Sequence, residues 1–200
     1  FCTAAKKEGG VEELLHALAK YSSTPWHAKV RLGDYLHGHN GHEHGFDEAD
    51  EKGEFLGVVF KTVNDKFVGN LSFIRVLSGK LDAAHPLLNV RSGKTARVSQ
   101  LLMIQGKTNQ AVPEAYPGDI IAVAKVEDLH IGDTVAFSKE APELPDPEFP
   151  KPMYGLAVEP KNRGDEQKIS QSLHKIADED PTFKIVHDPQ THELVINGVS

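Results

Sequence analysis

The chain has 200 residues, of which 39% are hydrophobic and 26% are charged, and its formal net charge is −7. This composition is typical of a globular protein in water, and no apolar run approaches the ~20 residues that a membrane-spanning helix needs. The single cysteine, Cys2, excludes an internal disulfide, so the sequence argues against a membrane protein or a disulfide scaffold and favours the cytoplasm.

The acidic balance is not uniform along the chain. Residues 54–137 hold nine basic against eight acidic side chains, whereas residues 138–200 hold seven basic against twelve acidic ones. Because contacts with nucleic-acid phosphates need a positive surface, any such contact is expected within residues 54–137.

The N-terminal segment, residues 1–24, predicts one amphipathic helix. Apolar residues recur at helical spacing, and Pro25 follows the end of the pattern. The stripe consists of Val11, Leu14, Leu15 and Leu18. A lone helix cannot bury its own apolar face, and neither an initiator methionine nor a signal peptide precedes it, so we expect the C-terminal remnant of a larger domain.

Residues 25–53 predict a linker with a His-rich loop. His37, His39, His42 and His44 stand among glycines and acidic residues. Imidazoles at this spacing converge on zinc or nickel only if the loop folds around the ion, and a short His-rich tract is only a compositional signal. The sequence therefore favours a solvated loop without a native metal, with these four residues as weak metal-ligand candidates.

Residues 57–81 predict the β-hairpin around which the rest of the chain is organised. In the second strand Leu71, Phe73 and Arg75 share one face, and Ile74 and Val76 share the other. The alternating residues assigned to one face of the first strand are Val58, Phe60 and Thr62, and the turn is placed at residues 64–66. Because both faces carry apolar residues, a closed barrel is favoured over an open sheet.

The rest of residues 54–137 reads as short strands between regular turns. Strands are predicted at residues 86–90, 96–104, 120–126 and 134–137. Turns this regular are typical of a small antiparallel β-barrel. Asp119 and Asp133 could form a catalytic carboxylate pair, but each follows a glycine at a turn, so we interpret both as turn-capping residues.

The C-terminal part predicts a second, different unit. Residues 138–152 contain five prolines and should form an extended linker. Residues 153–200 predict a strand, a helix with Ile169, Leu173 and Ile176 on its apolar stripe, and two further strands. This β-α-β-β order is the first part of a split β-α-β, or ferredoxin-like, unit. The expected fold class is mainly β with an α+β part.

Five short stretches, in a fixed order along the chain, carry a resemblance to a known family. Phe60-Lys61 precedes D-x-F-V-G-x-L-x-F at residues 65–73, R-V-x-S-G-x-L follows at residues 75–81, and Ala157–Lys161 and Ala177–Phe183 complete the pattern. In this order they resemble the second and third domains of elongation factor G and related translational GTPases. The resemblance implies a barrel second domain at 54–137, an incomplete third domain at 153–200 and the end of the GTPase domain at 1–24.

The resemblance implies a parent GTPase that uses GTP and magnesium to drive tRNA and mRNA translocation on the ribosome. Thr3, Ala4 and Ala5 stand where the family's last nucleotide-binding motif belongs, as a remnant of it. The sequence contains no phosphate loop of the form G-x-x-x-x-G-K-[ST]. We therefore expect this portion to be non-catalytic and to bind neither GTP nor magnesium.

The expected partners are small-subunit ribosomal RNA and protein and the GTPase domain of the same parent chain, with no membrane. The candidate RNA-binding residues are Arg75, Lys61, Lys66 and Lys94. Arg75 is the strongest because a planar guanidinium matches a phosphate, although each could instead be a solvated charge or a barrel ion pair. The alternatives left open are a ribosome-protection or recycling GTPase, a stand-alone ribosomal RNA-binding barrel, and a metal-binding protein built on the His-rich loop.

Overall fold

The computed structural model describes residues 2–23, 53–65, 68–160, 163–191 and 193–199. The helices are α1 (Val11–Tyr21) and α2 (Glu166–Glu179), with single 3-10 turns at Ala5–Lys7 and Arg163–Asp165. The barrel strands are β1 (Leu56–Asp65), β2 (Gly69–Ser78), β3 (Leu81–Asp82), β4 (Leu87–Asn89), β5 (Thr95–Ala96), β6 (Leu101–Gln105), β7 (Thr108–Val112), β8 (Glu114–Ala115), β9 (Ile120–Ala124) and β10 (Thr134–Ala136). The remaining strands are β11 (Tyr154–Val158), β12 (Lys184–His187) and β13 (Leu194–Gly198).

Strands β1 to β10 build the barrel. Eight of them pair antiparallel in the order β5-β4-β10-β1-β2-β9-β6-β7, and β3 pairs with β8 separately. Leu87 of β4 and Leu101 of β6 lie near opposite ends of the long sheet, yet both belong to one buried core. The sheet therefore curls around its own inner face. The prediction of a mainly β fold with a small antiparallel barrel is confirmed.

The first strand of the hairpin carries a β-bulge that the sequence pattern did not predict. The register between β1 and β2 shifts between Val59 and Lys61, so Phe60 is an extra residue without a partner in β2. Val59 and Thr62 are buried, whereas Phe60 is 42% exposed. Val58, which pairs with Arg75, and Phe60, whose ring contacts Phe73, share the outer side as predicted. The assignment of Thr62 to that side is wrong, because strict alternation holds only in a strand without an inserted residue.

The second strand follows the predicted alternation. Ile74 and Val76 are fully buried in the barrel core, while Leu71 and Phe73 belong to a separate cluster on the outer face. The turn lies slightly later than predicted, because β1 extends to Asp65, which pairs with Gly69. The Asp65 carboxylate accepts a hydrogen bond from the Val68 N–H at 2.9 Å, which is typical aspartate turn chemistry.

Two strand predictions changed in the folded chain. The predicted strand at residues 96–104 divides into β5 and β6, which pair with β4 and with β7 and β9 respectively. Strand β7 was not predicted, since Thr108–Val112 is polar and mostly exposed at the sheet edge. Edge strands with polar residues show little periodicity, so pairing with β6 alone defines this one.

Gly79 permits the close approach of the segment that precedes β1. Its φ is +62°, and a Cβ atom there would lie 2.5 Å from the backbone carbon of Glu54. The neighbouring Ser78 hydroxyl donates to the Glu54 carbonyl oxygen at 2.8 Å. A side chain at position 79 would be strained by its backbone angle and by this contact, so glycine is required here.

The first half of the proline-rich linker is anchored on the barrel. The Leu144 N–H donates to the Thr134 hydroxyl at 2.8 Å, and both Leu144 and Ala141 are buried. The Arg91 Nε donates to Glu143 at 3.0 Å, and Arg91 Nη2 donates to Asp146. The linker is extended as predicted, but its first half is part of the barrel surface.

Residues 153–199 form a three-stranded antiparallel sheet, ordered β11-β13-β12, with α2 between β11 and β12 in sequence. This is the predicted β-α-β-β order. Asp165 directly precedes α2; its carboxylate contacts Lys168 Nζ at 3.1 Å and makes no capping bond. Among the described residues β11 pairs only with β13, and no residue of this unit is buried.

Helix α1 is present where the spacing predicts it, and none of its residues is buried. Leu15 is 59% exposed and Leu18 is 53% exposed. Its apolar stripe has therefore not been covered by the rest of the described chain.

Candidate RNA-facing surface of the barrel

The outer face of β1 and β2 brings two of the four candidate RNA-binding residues together. Lys61 of β1 pairs with Phe73 of β2, and paired residues point to the same side of a sheet. Arg75 lies two positions after Phe73 and therefore on that side too. Phe73 belongs to the outer cluster and not to the barrel core. Lys61 and Arg75 thus flank one aromatic ring on the outer face.

Lys61 is exposed and packs on that ring. Its Nζ atom lies 5.6 Å from the centroid of the Phe73 ring, within the range of a cation–π contact. Phe60 approaches the same ring edge-on, with the two centroids 6.3 Å apart. Phe60 follows the buried Val59 and lies on the outer side by simple alternation, and the bulge adds the next residue, Lys61, to the same side.

Arg75 is half-buried and lies between two apolar neighbours. It pairs with Val58 of β1 and with Ile120 of β9, which is 47% exposed. Within the part of the chain that the structure describes, no carboxylate lies within ion-pair distance of its guanidinium. Its charge is therefore not neutralised by this face of the barrel.

Lys94 does not join this surface. It lies in the turn between β4 and β5, at one end of the long sheet, whereas β1 and β2 are its central strands. There its Nζ atom donates to Asp128 Oδ1 at 2.7 Å. The hydrogen bond from Lys94, together with that from the Ser92 hydroxyl, lowers the pKa of the Asp128 carboxyl. Lys94 thus has an acidic partner in place. Lys66 lies outside the described residues.

The sequence reasoning did not identify the aromatic and aliphatic part of this surface. The side chains of Lys61 and Arg75 are surrounded by Phe60, Phe73 and Ile120. Beneath them, on the outer side of the sheet, the cluster that contains Leu71 and Ala122 is buried. Phe60 was assigned only to a strand face with Val58, and its contact with Phe73 depends on pairing between β1 and β2. A cation beside exposed aromatic rings can contact phosphates and stack on unpaired bases, which is how RNA-binding sheets work.

Asp133 is the centre of a buried polar network at the other side of the barrel. Its Oδ2 atom accepts from the His130 N–H and from Asn89 Nδ2, both at 2.8 Å, and Arg91 Nε lies 3.6 Å from Oδ1. Asn89 Nδ2 also donates to the Asp128 carbonyl oxygen at 2.8 Å. The network joins β4, the loop before β10 and, through Arg91, the linker.

The turn-capping interpretation of the two aspartates is confirmed. The Asp119 carboxylate accepts from the Tyr116 N–H at 2.9 Å, three residues before it, and Asp133 accepts from His130 in the same way. Each carboxylate therefore satisfies a backbone donor of its own turn. Turn capping thus accounts for the position of both side chains.

The predicted nucleotide-binding remnant is exposed at the N-terminus. Ala4 forms an isolated bridge with Gly9, in which the Ala4 N–H donates to the Gly9 carbonyl oxygen at 2.9 Å. The Ala4 carbonyl oxygen accepts from the Lys7 N–H at 2.8 Å. Both backbone groups of Ala4 are thus engaged within this segment. The role of Thr3, Ala4 and Ala5 stays a prediction.

The four weak metal-ligand candidates, His37, His39, His42 and His44, all lie outside the residues that the structure describes. In the parts that the structure does describe, no group of three or more His, Cys, Asp or Glu side chains could hold a metal ion. None of the helices in those same parts has both the length and the apolar character needed to cross a bilayer.

Two sequence-family descriptions match the chain, one after the other. Residues 54–137 match Elongation factor G domain 2, and residues 149–200 match Elongation Factor G, domain III. The chain is 36% identical over 204 aligned residues to elongation factor G of Ruegeria sp. (strain TM1040), and 35% identical over 197 residues to that of Dinoroseobacter shibae (strain DSM 16493 / NCIMB 14021 / DFL 12). Both alignments cover 98% of this chain and 28% of the relative.

The fold matches as well. A crystal structure of a protein from Thermus thermophilus superposes with a TM-score of 0.77 at 28% sequence identity, covering 99% of this chain and 27% of that one. The chain therefore spans little more than a quarter of the length of the proteins it matches. The resemblance predicted from the sequence is confirmed, and the chain belongs to the elongation factor G family.

Proposed function

We propose that the protein acts on the ribosome in the cytoplasm as a translation factor of the elongation factor G kind. In this proposal GTP hydrolysis by a GTPase domain, with magnesium, drives the movement of tRNA and mRNA. Residues 54–199 are the non-catalytic part that docks on the small subunit. The observation that carries the proposal is the succession of two matched elongation factor G domains in one chain.

The surface around Phe73 supports docking on RNA. Lys61 and Arg75 lie on one face, and Arg75 has no acidic partner among the described residues. Phosphate contacts of this kind supply affinity and positioning, while exposed rings such as Phe60 can stack on bases. Lys94 is the weaker candidate because Asp128 already pairs with it.

Helix α1 supports a further contact within the proposed protein. Its apolar stripe, with Leu15 and Leu18 more than half exposed, is the kind of surface that another domain covers. We propose the GTPase domain of the same polypeptide as its partner.

Binding to purified small ribosomal subunits tests the docking proposal. Affinity should fall steeply as the salt concentration rises from about 50 to about 200 mM, because bound phosphates release counterions. Arg75→Glu should weaken binding about tenfold or more and reduce the salt dependence, as expected for loss of a phosphate contact. Lys168→Glu, the same charge change on α2, is the matched control and should have little effect.

Two results would contradict the assignment of this surface. Equal losses of affinity in Arg75→Glu and Lys168→Glu would indicate a general charge effect. Unchanged affinity in Arg75→Glu, with a lowered melting temperature, would make Arg75 a structural residue of the barrel.

Calorimetry with GTP and magnesium tests the role assigned to this portion of the protein. The sequence contains no phosphate loop, so no binding is expected, and an affinity tighter than about 1 mM would refute the expectation that this portion does not bind GTP.

A further inference from the structure

The barrel and the C-terminal unit meet where the end of β1 reaches the C-terminal end of α2. The Thr62 hydroxyl donates to the Asp178 carbonyl oxygen at 2.5 Å. The Asn64 N–H donates to Glu179 Oε1 at 2.5 Å, and Asn64 Nδ2 lies 3.3 Å from the Lys175 carbonyl oxygen. All three donors belong to the barrel, and all three acceptors belong to the helix.

The helix end is short of donors of its own. The last four carbonyl groups of an α-helix have no partner within the helix, and its C-terminus carries partial negative charge. The last turn of α2 has no basic residue and is followed by Asp180, so residues 178–180 are three consecutive acids. The Asp180 N–H satisfies only the Ile176 carbonyl oxygen. An acidic, incompletely capped helix end is stabilised by donors supplied from another element.

The end of the hairpin offers donors that the barrel core does not use. Thr62 is 3% exposed, and its cross-strand neighbour Ser72 is fully buried. Asn64 pairs in the same way with Asn70. Within the described chain the Ser72 hydroxyl and the Asn70 side-chain oxygen have no hydrogen-bond partner. Of this polar group, Thr62 and Asn64 are the two that reach the helix.

The tether between the two units favours this contact. Arg91 holds the linker on the barrel as far as Asp146, and the stretch from there to β11 contains Pro147, Pro150 and Pro152. A short, proline-stiffened connection keeps the helix end close to the hairpin, so a few hydrogen bonds suffice to hold it there.

We propose that Thr62 and Asn64 of the barrel are the C-terminal cap of helix α2, supplied across the domain boundary, and that this cap holds the two units in one relative orientation. The Thr62 hydroxyl satisfies the carbonyl of Asp178, one of the last four of the helix, and the Asn64 N–H holds the Glu179 carboxylate. The Asn64 side-chain amide adds a contact with the carbonyl of Lys175, just before those four. The inference goes beyond the proposed function, because it concerns how the two units are joined and not what either of them binds.

The orientation of the two units can be measured by double electron–electron resonance. Spin labels at Gln110→Cys on β7 and Gln171→Cys on α2, in a Cys2→Ser background, place one label on each unit at exposed positions. With Thr62, Asn64 and Glu179 unchanged, the distances between the two labels should form one narrow distribution. Thr62→Val with Glu179→Ala should broaden it, and exchange of the amides at residues 176–180 should become about five- to tenfold faster, as loss of one or two hydrogen bonds predicts.

Three further variants make the test specific. Ser72→Ala removes a buried hydroxyl that has no partner in the described chain, from the strand opposite Thr62, and should leave the distribution narrow. Glu179→Gln keeps an acceptor oxygen and should restore most of the order lost in Glu179→Ala. Glu179 lies in α2 and not in the barrel, so the single variant Glu179→Ala tests the contact between the two units even if Thr62→Val lowers the stability of the barrel.

Two outcomes would overturn the cap. One is an unchanged distance distribution with unchanged exchange in the double variant. The other is equal broadening in Ser72→Ala and Thr62→Val, which would mean that loosening of the barrel, and not loss of the cap, frees the helix.

Discussion

The barrel and residues 153–199 differ in how much of their apolar surface is enclosed. Every buried hydrophobic residue of the described chain lies between Phe55 and Leu144, and several side chains there, including Ile74 and Leu101, are fully buried. Residues 153–199 are also rich in apolar residues, yet Met153 is 90% exposed and Leu156 is 58% exposed. A curled sheet encloses its inner face, whereas three strands and one helix leave both the sheet edge and part of the helix in water.

The difference shows that apolar content does not by itself produce a core. The hydrophobic contribution follows the area removed from water, about 25 cal/mol per Å², and not the number of apolar residues in the sequence. In the barrel, strands distant in sequence supply side chains to one enclosed space. In the C-terminal unit, α2 covers one side of a short sheet, and its contact with the barrel is polar.

The largest expected effect is in amide hydrogen exchange. Exchange of barrel amides in β1, β2 and β9 should require global unfolding, while those in β11 to β13 should exchange through local opening at rates higher by orders of magnitude. Exchange measured by mass spectrometry at low micromolar protein concentration tests this. Uniformly slow exchange would show that the C-terminal unit is as stable as the barrel, and the difference in enclosed apolar surface would then have no effect on local stability.

A second test compares equal deletions in the two units. Ile74→Ala removes a fully buried side chain and should lower the free energy of unfolding by about 2–5 kcal/mol. Leu156→Ala in β11 removes a side chain that is mostly in water and should cost less than about 1 kcal/mol. Urea denaturation followed by circular dichroism measures both, and similar losses would mean that β11 is covered in solution.

A third test addresses the buried polar network of the barrel. Asp133→Ala leaves the His130 N–H and Asn89 Nδ2 without an acceptor in a buried site and should cost about 2–3 kcal/mol. Asp119→Ala removes the same kind of turn cap at a half-exposed position and should cost about 1 kcal/mol or less. Equal costs would show that burial does not distinguish the two caps.

The smallest expected effect is a decrease of the folded protein's stability at acidic pH. Hydrogen bonds from Lys94 lower the pKa of Asp128, and those from Lys80 lower the pKa of Glu114, whereas in the C-terminal unit the N–H groups of Gln190 and Thr191 lower the pKa of Asp188. A carboxyl with a lower pKa in the folded state contributes stability that is complete above its unfolded pKa of about 4 and is lost as the pH falls through the folded value.

The melting temperature should therefore be nearly constant between about pH 7 and pH 5 and decrease below about pH 4. Asp128→Asn should make this decrease smaller, and because the pairs are exposed, salt should also reduce it. Stability that increases on acidification to about pH 3 would contradict the direction of all three shifts.

Local pattern was enough to predict much of the fold and the family. Period-two alternation in β2, glycine and aspartate at the turns, and the helical spacing of Ile169, Leu173 and Ile176 each depend on residues close together in sequence. The turn-capping roles of Asp119 and Asp133 could be predicted for the same reason, since the donor in each case lies three residues away.

The candidate site was predicted only in part. Lys61 and Arg75 were both identified from their residue types, but their position around Phe73 depends on the bulge at Phe60. A bulge is defined by pairing with a second strand, so a single strand's sequence does not contain it. Lys94 looked equivalent to Lys61 in the sequence, and only the fold brought Asp128, thirty-four residues later, within 2.7 Å of it.

By itself, then, the amino-acid sequence determined the helices, most of the long strands, the order of the units and the family, because these depend on short-range periodicity and ordered motifs. The polar edge strand β7 and the division of residues 96–104 into β5 and β6 were decided by pairing in the folded sheet. Only the tertiary structure decided which apolar residues are enclosed, which charges are neutralised, and where the units touch. The anchoring of the linker by Arg91 and the capping of α2 by Thr62 join residues about fifty and more than a hundred positions apart. Such contacts depend on the path of the chain in space, which local propensity does not specify.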